Sequence, residues 1–203
     1  MNQSIIESSK NINPNILLSV NLDEQSASQI EPLADGLFAA TYLNKSNNQQ
    51  TDDLENINLH ELAEVILSRV KRRVKDRPIN IINGIDDSIQ FKGEAKRINA
   101  IFNALTENSL QHGFKRNDSG IIKIEATLSQ NKLSITFFDT GRGLKKEQLL
   151  KIVEESNRSK GDSQFGLGSV FSNIKQMNGA ICFKNNKAEQ GLRVDFDIKV
   201  IPN

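Results

Sequence analysis

Three groups of residues have types and spacings that can do chemistry. In the run TENSLQHGF, Asn108 and His112 stand four residues apart and therefore share one face of any helix that carries them. Asp139 ends the alternating run KLSITFFD and is followed at once by TGRGL, in which Gly141 and Gly143 are two residues apart. Gly166 and Gly168, in QFGLGS, open a further helical stretch. An inward amide or carboxylate costs free energy unless buried backbone or a bound ligand answers it. Glycine pairs permit close backbone approach, and N–H groups at the positive end of a helix dipole suit phosphate. Cys182 is the only cysteine, and His60 and His112 are the only histidines. That count excludes a disulfide framework and a Cys/His zinc cluster.

The elements that must position these residues follow from periodicity. Ile98, Ile101, Phe102 and Leu105 define the inner face of a helix from about Glu94 to His112, and continuing the period places Asn108 and His112 on its core side. By periodicity alone Asn108 reads as structural. IIKIEATLS and KLSITFFD alternate as strands and meet at Gln130 and Asn131, so they form a hairpin. Leu133, Ile135 and Phe137 point one way, and Asp139 ends that apolar row. Upstream, Asn58 and Glu61 cap a helix carrying Leu59, Leu62, Ala63, Ile66, Leu67, Val70 and Val74, and PINIINGI reads as a strand. The other face of that helix is basic, from Arg69 to Arg77, and reads as solvated. A helix from Leu167 to Asn178 and two strands finish the chain, the last with Leu192, Val194, Phe196, Ile198 and Val200 on one face. The expected fold class is α+β, a two-layer α/β sandwich.

Before this domain, Asn44 to Asp53 is polar and reads as a linker. Ser28 and Glu31 have capping-box spacing, and Ile30, Leu33, Ala34, Leu37, Phe38 and Thr41 form a helical stripe. Ile5 to Leu22 is apolar enough for a second helix interrupted by Pro14. The expected division is a dimerisation-like helical hairpin and linker over 1–50 and a catalytic domain over 51–203. The hairpin, residues 5–43, is a route to a homodimer.

Of the 203 residues, 37% are hydrophobic and 25% charged, with 26 basic against 25 acidic side chains, so one globular domain with an accessory segment is expected. A net charge of +1 offers no concentrated basic surface for nucleic acid or an anionic membrane. No apolar run has the length of a membrane span, and MNQSIIESSKNINP lacks a signal-peptide pattern, so a cytoplasmic protein is expected.

Taken together, Glu-Asn-x-x-x-His-Gly at 107–113, Asp-x-Gly-x-Gly at 139–143 and Gly-x-Gly at 166–168 resemble the N, G1 and G2 boxes of the GHKL ATPases, the superfamily of gyrase, mismatch-repair ATPases and sensor histidine kinases. Order, spacing and expected secondary structure agree over residues 57–200. The resemblance implies ATP and Mg2+ as cofactors, with Asn108 as the magnesium ligand and Asp139 as acceptor for the adenine amino group. It places His112, Gly141, Gly143 and Leu144 at the nucleotide and Gly166, Leu167 and Gly168 beside its phosphates. Residues 145–165 would form a lid, in which Arg158 and Lys160 are candidate cations, read more readily as solvated. ENSLQHGF and the entry LENINLHELAEVILSRV are most similar to histidine kinases. A response regulator or a partner kinase is the implied partner.

Two positions depart from the pattern. Residues 1–59 contain no histidine, and the alignable phosphoacceptor positions hold Ser9 or Asn15, neither of which can form a phosphoramidate. His60 begins HEL, but at the start of the ATP-domain helix rather than on the hairpin. Ala104 stands one turn before Asn108, where many relatives carry an acid–base group, which leaves Glu107 as the candidate catalytic residue or as an ordinary surface residue. The expected function is Mg-ATP-dependent phosphoryl transfer to histidine. The alternatives are a catalytically silent nucleotide-binding module and an anti-sigma-type serine kinase.

Overall fold

Alternation on the strands determines the main sheet. The computed structural model describes residues 54–145, 147–148, 152, 167–185 and 190–203, with the backbone of two short strands at 16–18 and 38–42. In chain order the elements are β1 (Ile16–Leu18), β2 (Phe38–Tyr42), β3 (Glu55–Asn58), α1 (Leu59–Arg73), β4 (Ile79–Asn83), β5 (Gln90–Gly93), α2 (Ala95–Asn108) with a π turn (Ser109–Gly113), β6 (Gly120–Ser129), β7 (Lys132–Asp139), α3 (Gly168–Gln176), β8 (Ala180–Asn185), β9 (Leu192–Lys199) and β10 (Ile201–Pro202). The main sheet runs β1-β2-β8-β9-β7-β6-β4, and β10-β5-β3 form a second, small sheet. The fold class is α+β, with a mixed sheet and helices, as expected.

The β6–β7 hairpin turns at Gln130, whose φ is 54°, and its register pairs Ile124 with Phe137 and Ile122 with Asp139. Ile122, Ile124, Leu133, Ile135 and Phe137 are buried, as are Val194 and Phe196 of β9. Against this face pack Ile66 and Leu67 of α1, Ile98, Phe102 and Leu105 of α2, and Val170 and Ile174 of α3. The opposite face is polar: Thr136 donates to Asp195 at 2.7 Å, and Lys184 and Arg193 pair with the same carboxylate at 2.7 and 2.9 Å. Truncating a fully buried ring such as Phe137 would cost about 3–5 kcal/mol.

Asn58 caps α1 as expected, its Oδ1 accepting the Glu61 N–H at 3.1 Å. The basic face of α1 is exposed at Arg69, Lys71, Arg72 and Arg73, as is Lys75 just beyond the helix. The N-terminal hairpin is corrected where the structure describes it. Residues 16–18 and 38–42 are strands, β2 pairing antiparallel with β8 and parallel with β1, so Phe38 and Thr41 belong to a strand rather than a helical stripe. A short apolar run fits either period, and the open edge of β8 offers FAATY a ladder of backbone partners. The remaining hairpin residues lie outside those described. The long helix also changes character at its end, closing as a π turn in which Phe114 N–H donates to the Ser109 carbonyl at 3.2 Å.

Candidate functional site

The end of α2 and the end of β7 meet. After Asn108, α2 continues as the π turn Ser109–Gly113. The buried polar residues here are Thr106 and Ser109, whereas Asn108 is half-buried and His112 exposed. The expectation of two inward residues, Asn108 and His112, is corrected to that extent: both line a cavity rather than the core. Ser109 is four residues beyond Leu105, so strict helical spacing from the inner face leads to it as readily as to Asn108.

Asp139 is 2% exposed at the end of β7 and is held by three donors. Its Oδ2 accepts the Ser109 hydroxyl at 2.6 Å, and its Oδ1 accepts the N–H of Gly141 at 2.9 Å and of Leu192 at 3.3 Å. Burial holds this carboxyl above the ordinary Asp range, and the three hydrogen bonds oppose that rise. A carboxylate has about four lone-pair sites, so one remains for a ligand.

The loop after Asp139 is fixed from two sides. Thr140 pairs with Ile121 through its N–H, at 3.0 Å, and through its hydroxyl, which accepts the Ile121 N–H at 2.8 Å. A Cβ on Gly141 would lie 2.6 Å from the Gly113 carbonyl oxygen, and Arg142 N–H donates to that same oxygen at 2.9 Å. Glycine at 141 therefore lets the loop lie directly on the π turn. The result is an open cavity of about 260 Å³ with Asn108, His112, Asp139, Arg142, Leu144 and Gln148 in its wall. Gly143 lines it too, whereas Gly141 does not.

Other expected site residues fall elsewhere. Glu107 does not line this cavity; it forms an ion pair with Arg73 of α1. Leu167 is buried at the N-cap of α3 and Gly168 is that helix's first residue. Gly166, Arg158, Lys160, Ser9 and Asn15 lie outside the described residues. Ala104 packs against the core, and His60 donates from Nδ1 to the Ile85 carbonyl at 2.7 Å, away from the cavity. Among the described residues, no group of three or more His, Cys, Asp or Glu is placed to hold a metal. No helix among them is long and apolar enough to cross a membrane. Ser109, Arg142, Gln148 and Leu192 are cavity residues that the motifs did not single out.

The profile of the histidine kinase-, DNA gyrase B- and HSP90-like ATPase family matches residues 93–202. The chain is 29% identical over 132 residues to the signal transduction histidine-protein kinase BaeS of Escherichia coli, covering 62% of this chain and 28% of BaeS. It is 31% identical over 96 residues to the anti-sigma F factor of Clostridium botulinum, covering 47% of this chain and 63% of that protein. The chain thus spans less than two thirds of either relative. Its fold superposes on the catalytic domain of the histidine kinase ThkA with a TM-score of 0.59 at 18% identity, covering 72% of this chain and 95% of that one. With a buried carboxylate and the glycines Gly113 and Gly143 set around one cavity inside the matched span, the chain belongs to the histidine kinase-, DNA gyrase B- and HSP90-like ATPase family.

Proposed function

We propose that this chain is the ATP-binding catalytic core of a sensor histidine kinase-like signalling protein, and that it transfers the γ-phosphoryl group of ATP to histidine. The observation that carries this reading is Asp139, a buried carboxylate at the cavity with three donors satisfied and one acceptor site left. An adenine amino group is a donor of the kind that site lacks. Gly143 and Leu144 would flank the base, and the N-terminal N–H groups of α3, at Leu167 and Gly168, would stand toward the phosphates.

Asn108 presents one hard amide donor at the cavity wall, which fits Mg2+ taking its other ligands from phosphates and water. Asn108 would hold the metal, which would supply positive charge against the charge on the phosphates. Glu107 is proposed as the base for the attacking group, once parted from Arg73. The phosphoacceptor would be supplied in trans or from sequence outside this chain. A response regulator or partner kinase, a homodimer and a cytoplasmic location complete the reading.

Two alternatives have specific support. Residues 1–59 lack histidine, which favours a silent nucleotide-binding module that regulates a kinase or response regulator. The likeness to an anti-sigma F factor favours a serine kinase. Calorimetric titration with ATP and magnesium, followed by incubation with γ-labelled ATP, separates the three. Binding with acid-labile label supports the histidine kinase, acid-stable label on an added protein serine supports the serine kinase, and binding without label supports the silent module. No binding overturns all three.

A further inference from the structure

A second clamp lies beside Asp139. Asn185 is the last residue of β8 and is paired across the ladder with Leu192, whose N–H donates to Asp139. The side-chain amide of Asn185 reaches the cavity loop: Oδ1 accepts the Leu144 N–H at 2.8 Å, and Nδ2 donates to the Leu144 carbonyl at 2.5 Å. One side chain thereby answers both backbone groups of a single residue, as a neighbouring strand would. Gly143 stands at φ +66°, and a Cβ on it would lie 2.8 Å from Asn185 Oδ1. The left-handed turn and the close approach both require glycine there. Gly143 and Leu144 both line the cavity.

We propose that Asn185 is a positioning residue for the bound nucleotide. It holds the Gly143–Leu144 wall in its binding conformation before ligand arrives. This inference rests on reading the cavity as a nucleotide site. The register shared by Asn185 and Leu192 means that one end of the β8–β9 pair holds both the Asp139 carboxylate and the Leu144 backbone. Without the amide, Leu144 has no such neighbour, and ordering its backbone becomes a cost charged to binding.

The chemistry of the clamp allows a test that a merely structural residue would not satisfy. Asn185→Ala removes both bonds, and ATP affinity should fall about tenfold at every pH. Asn185→Asp keeps the acceptor but sets a second oxygen against the Leu144 carbonyl. That carboxyl is disfavoured when ionised and becomes a donor when protonated. Its affinity, normalised to wild type at the same pH, should be weakest near about pH 8 and recover as pH falls toward about 5. Calorimetry with Mg-ATP on the full chain, beside melting temperatures, reads both effects. Should the alanine variant not fold, the pH-dependent loss of the Asn185→Asp variant carries the test. Normal wild-type binding with every folded variant within about twofold of it at each pH would overturn the role of Asn185 alone. A wild-type chain that does not bind ATP would overturn the nucleotide reading and this inference with it.

Discussion

Ser109 and Asp139 meet where the π turn touches the end of β7, the hydroxyl donating to Oδ2 at 2.6 Å with both residues almost wholly buried. Of the three donors on this carboxylate, the hydroxyl is the one that can reverse its role, because the Gly141 and Leu192 N–H groups only donate.

That asymmetry makes Asp139→Asn an informative substitution. The amide oxygen can keep both N–H bonds while the amide nitrogen donates to a rotated Ser109 hydroxyl, so the variant should fold. A ligand amino group would then meet a donor, and ATP affinity should fall by about 100-fold or more in calorimetry. Stability should move the other way. Burial raises the Asp139 carboxyl, so its contribution is present below about pH 3.9 and is lost as pH rises through the folded value. Melting scans should place Asp139→Asn above wild type at neutral pH, with the gap closing toward pH 4. Unchanged ATP affinity in the folded variant would remove Asp139 from the site.

Ser109→Ala should be destabilising for the same reason. Oδ2 loses its buried donor, which costs about 1–3 kcal/mol when the carboxylate is charged. The lost bond is one that lowers the Asp139 value, so the carboxyl should rise further. Denaturant unfolding should therefore show a larger deficit at pH 8 than at pH 5. An equal deficit at both would mean that the hydroxyl matters for packing rather than for the charge.

Much of this site is legible in the sequence. Asp139 broke the parity of an apolar strand row, and the helix carrying Asn108 had an unmistakable inner face. Ser109 stands four residues beyond Leu105 on the same inner face, but it lies between the named motif positions Asn108 and His112, and a lone buried serine carries no signal of its own. Leu192 and Asn185 were hidden for a different reason: they reach the loop from 53 and 41 residues away, through backbone and amide contacts that no local period encodes. The short strands β3, β5 and β10 also escaped, since two to four residues are too few to tell alternation from chance. FAATY at 38–42 read as part of a helix because its ladder partner, β8, lies far along the chain.

The two glycines that face one another across the loop should respond differently to alanine. At Gly141 the new methyl would lie 2.6 Å from the Gly113 carbonyl oxygen, backbone against backbone, and would displace the loop that carries Arg142. Gly141→Ala should lose about 1–3 kcal/mol of stability. At Gly113 the methyl would sit 3.7 Å from the Asp139 carboxylate oxygens, an ordinary contact. Gly113→Ala should stay within about 1 kcal/mol of wild type yet weaken ATP binding, because the methyl occupies the cavity beside the carboxylate. Comparable destabilisation of both variants would refute the distinction.

Glu107 presents the sharpest choice between a structural and a chemical role. It directly precedes Asn108, but its carboxylate is ion-paired with Arg73, and the two side chains are 39% and 54% exposed. An exposed pair contributes at most about 1 kcal/mol, so neither Arg73→Ala nor Glu107→Gln should shift the melting temperature by more than a few degrees. Neither residue lines the cavity, so ATP affinity should be unchanged in both. The separation comes in turnover of γ-labelled ATP with an acceptor present. If Glu107 acts as the base, Glu107→Gln should slow turnover by about 100-fold. Arg73→Ala, which frees the carboxylate, should not slow it. Equal losses in the two variants would mean that the pair only docks α1 on α2, and the acid–base work would have to come from the acceptor's side of the reaction.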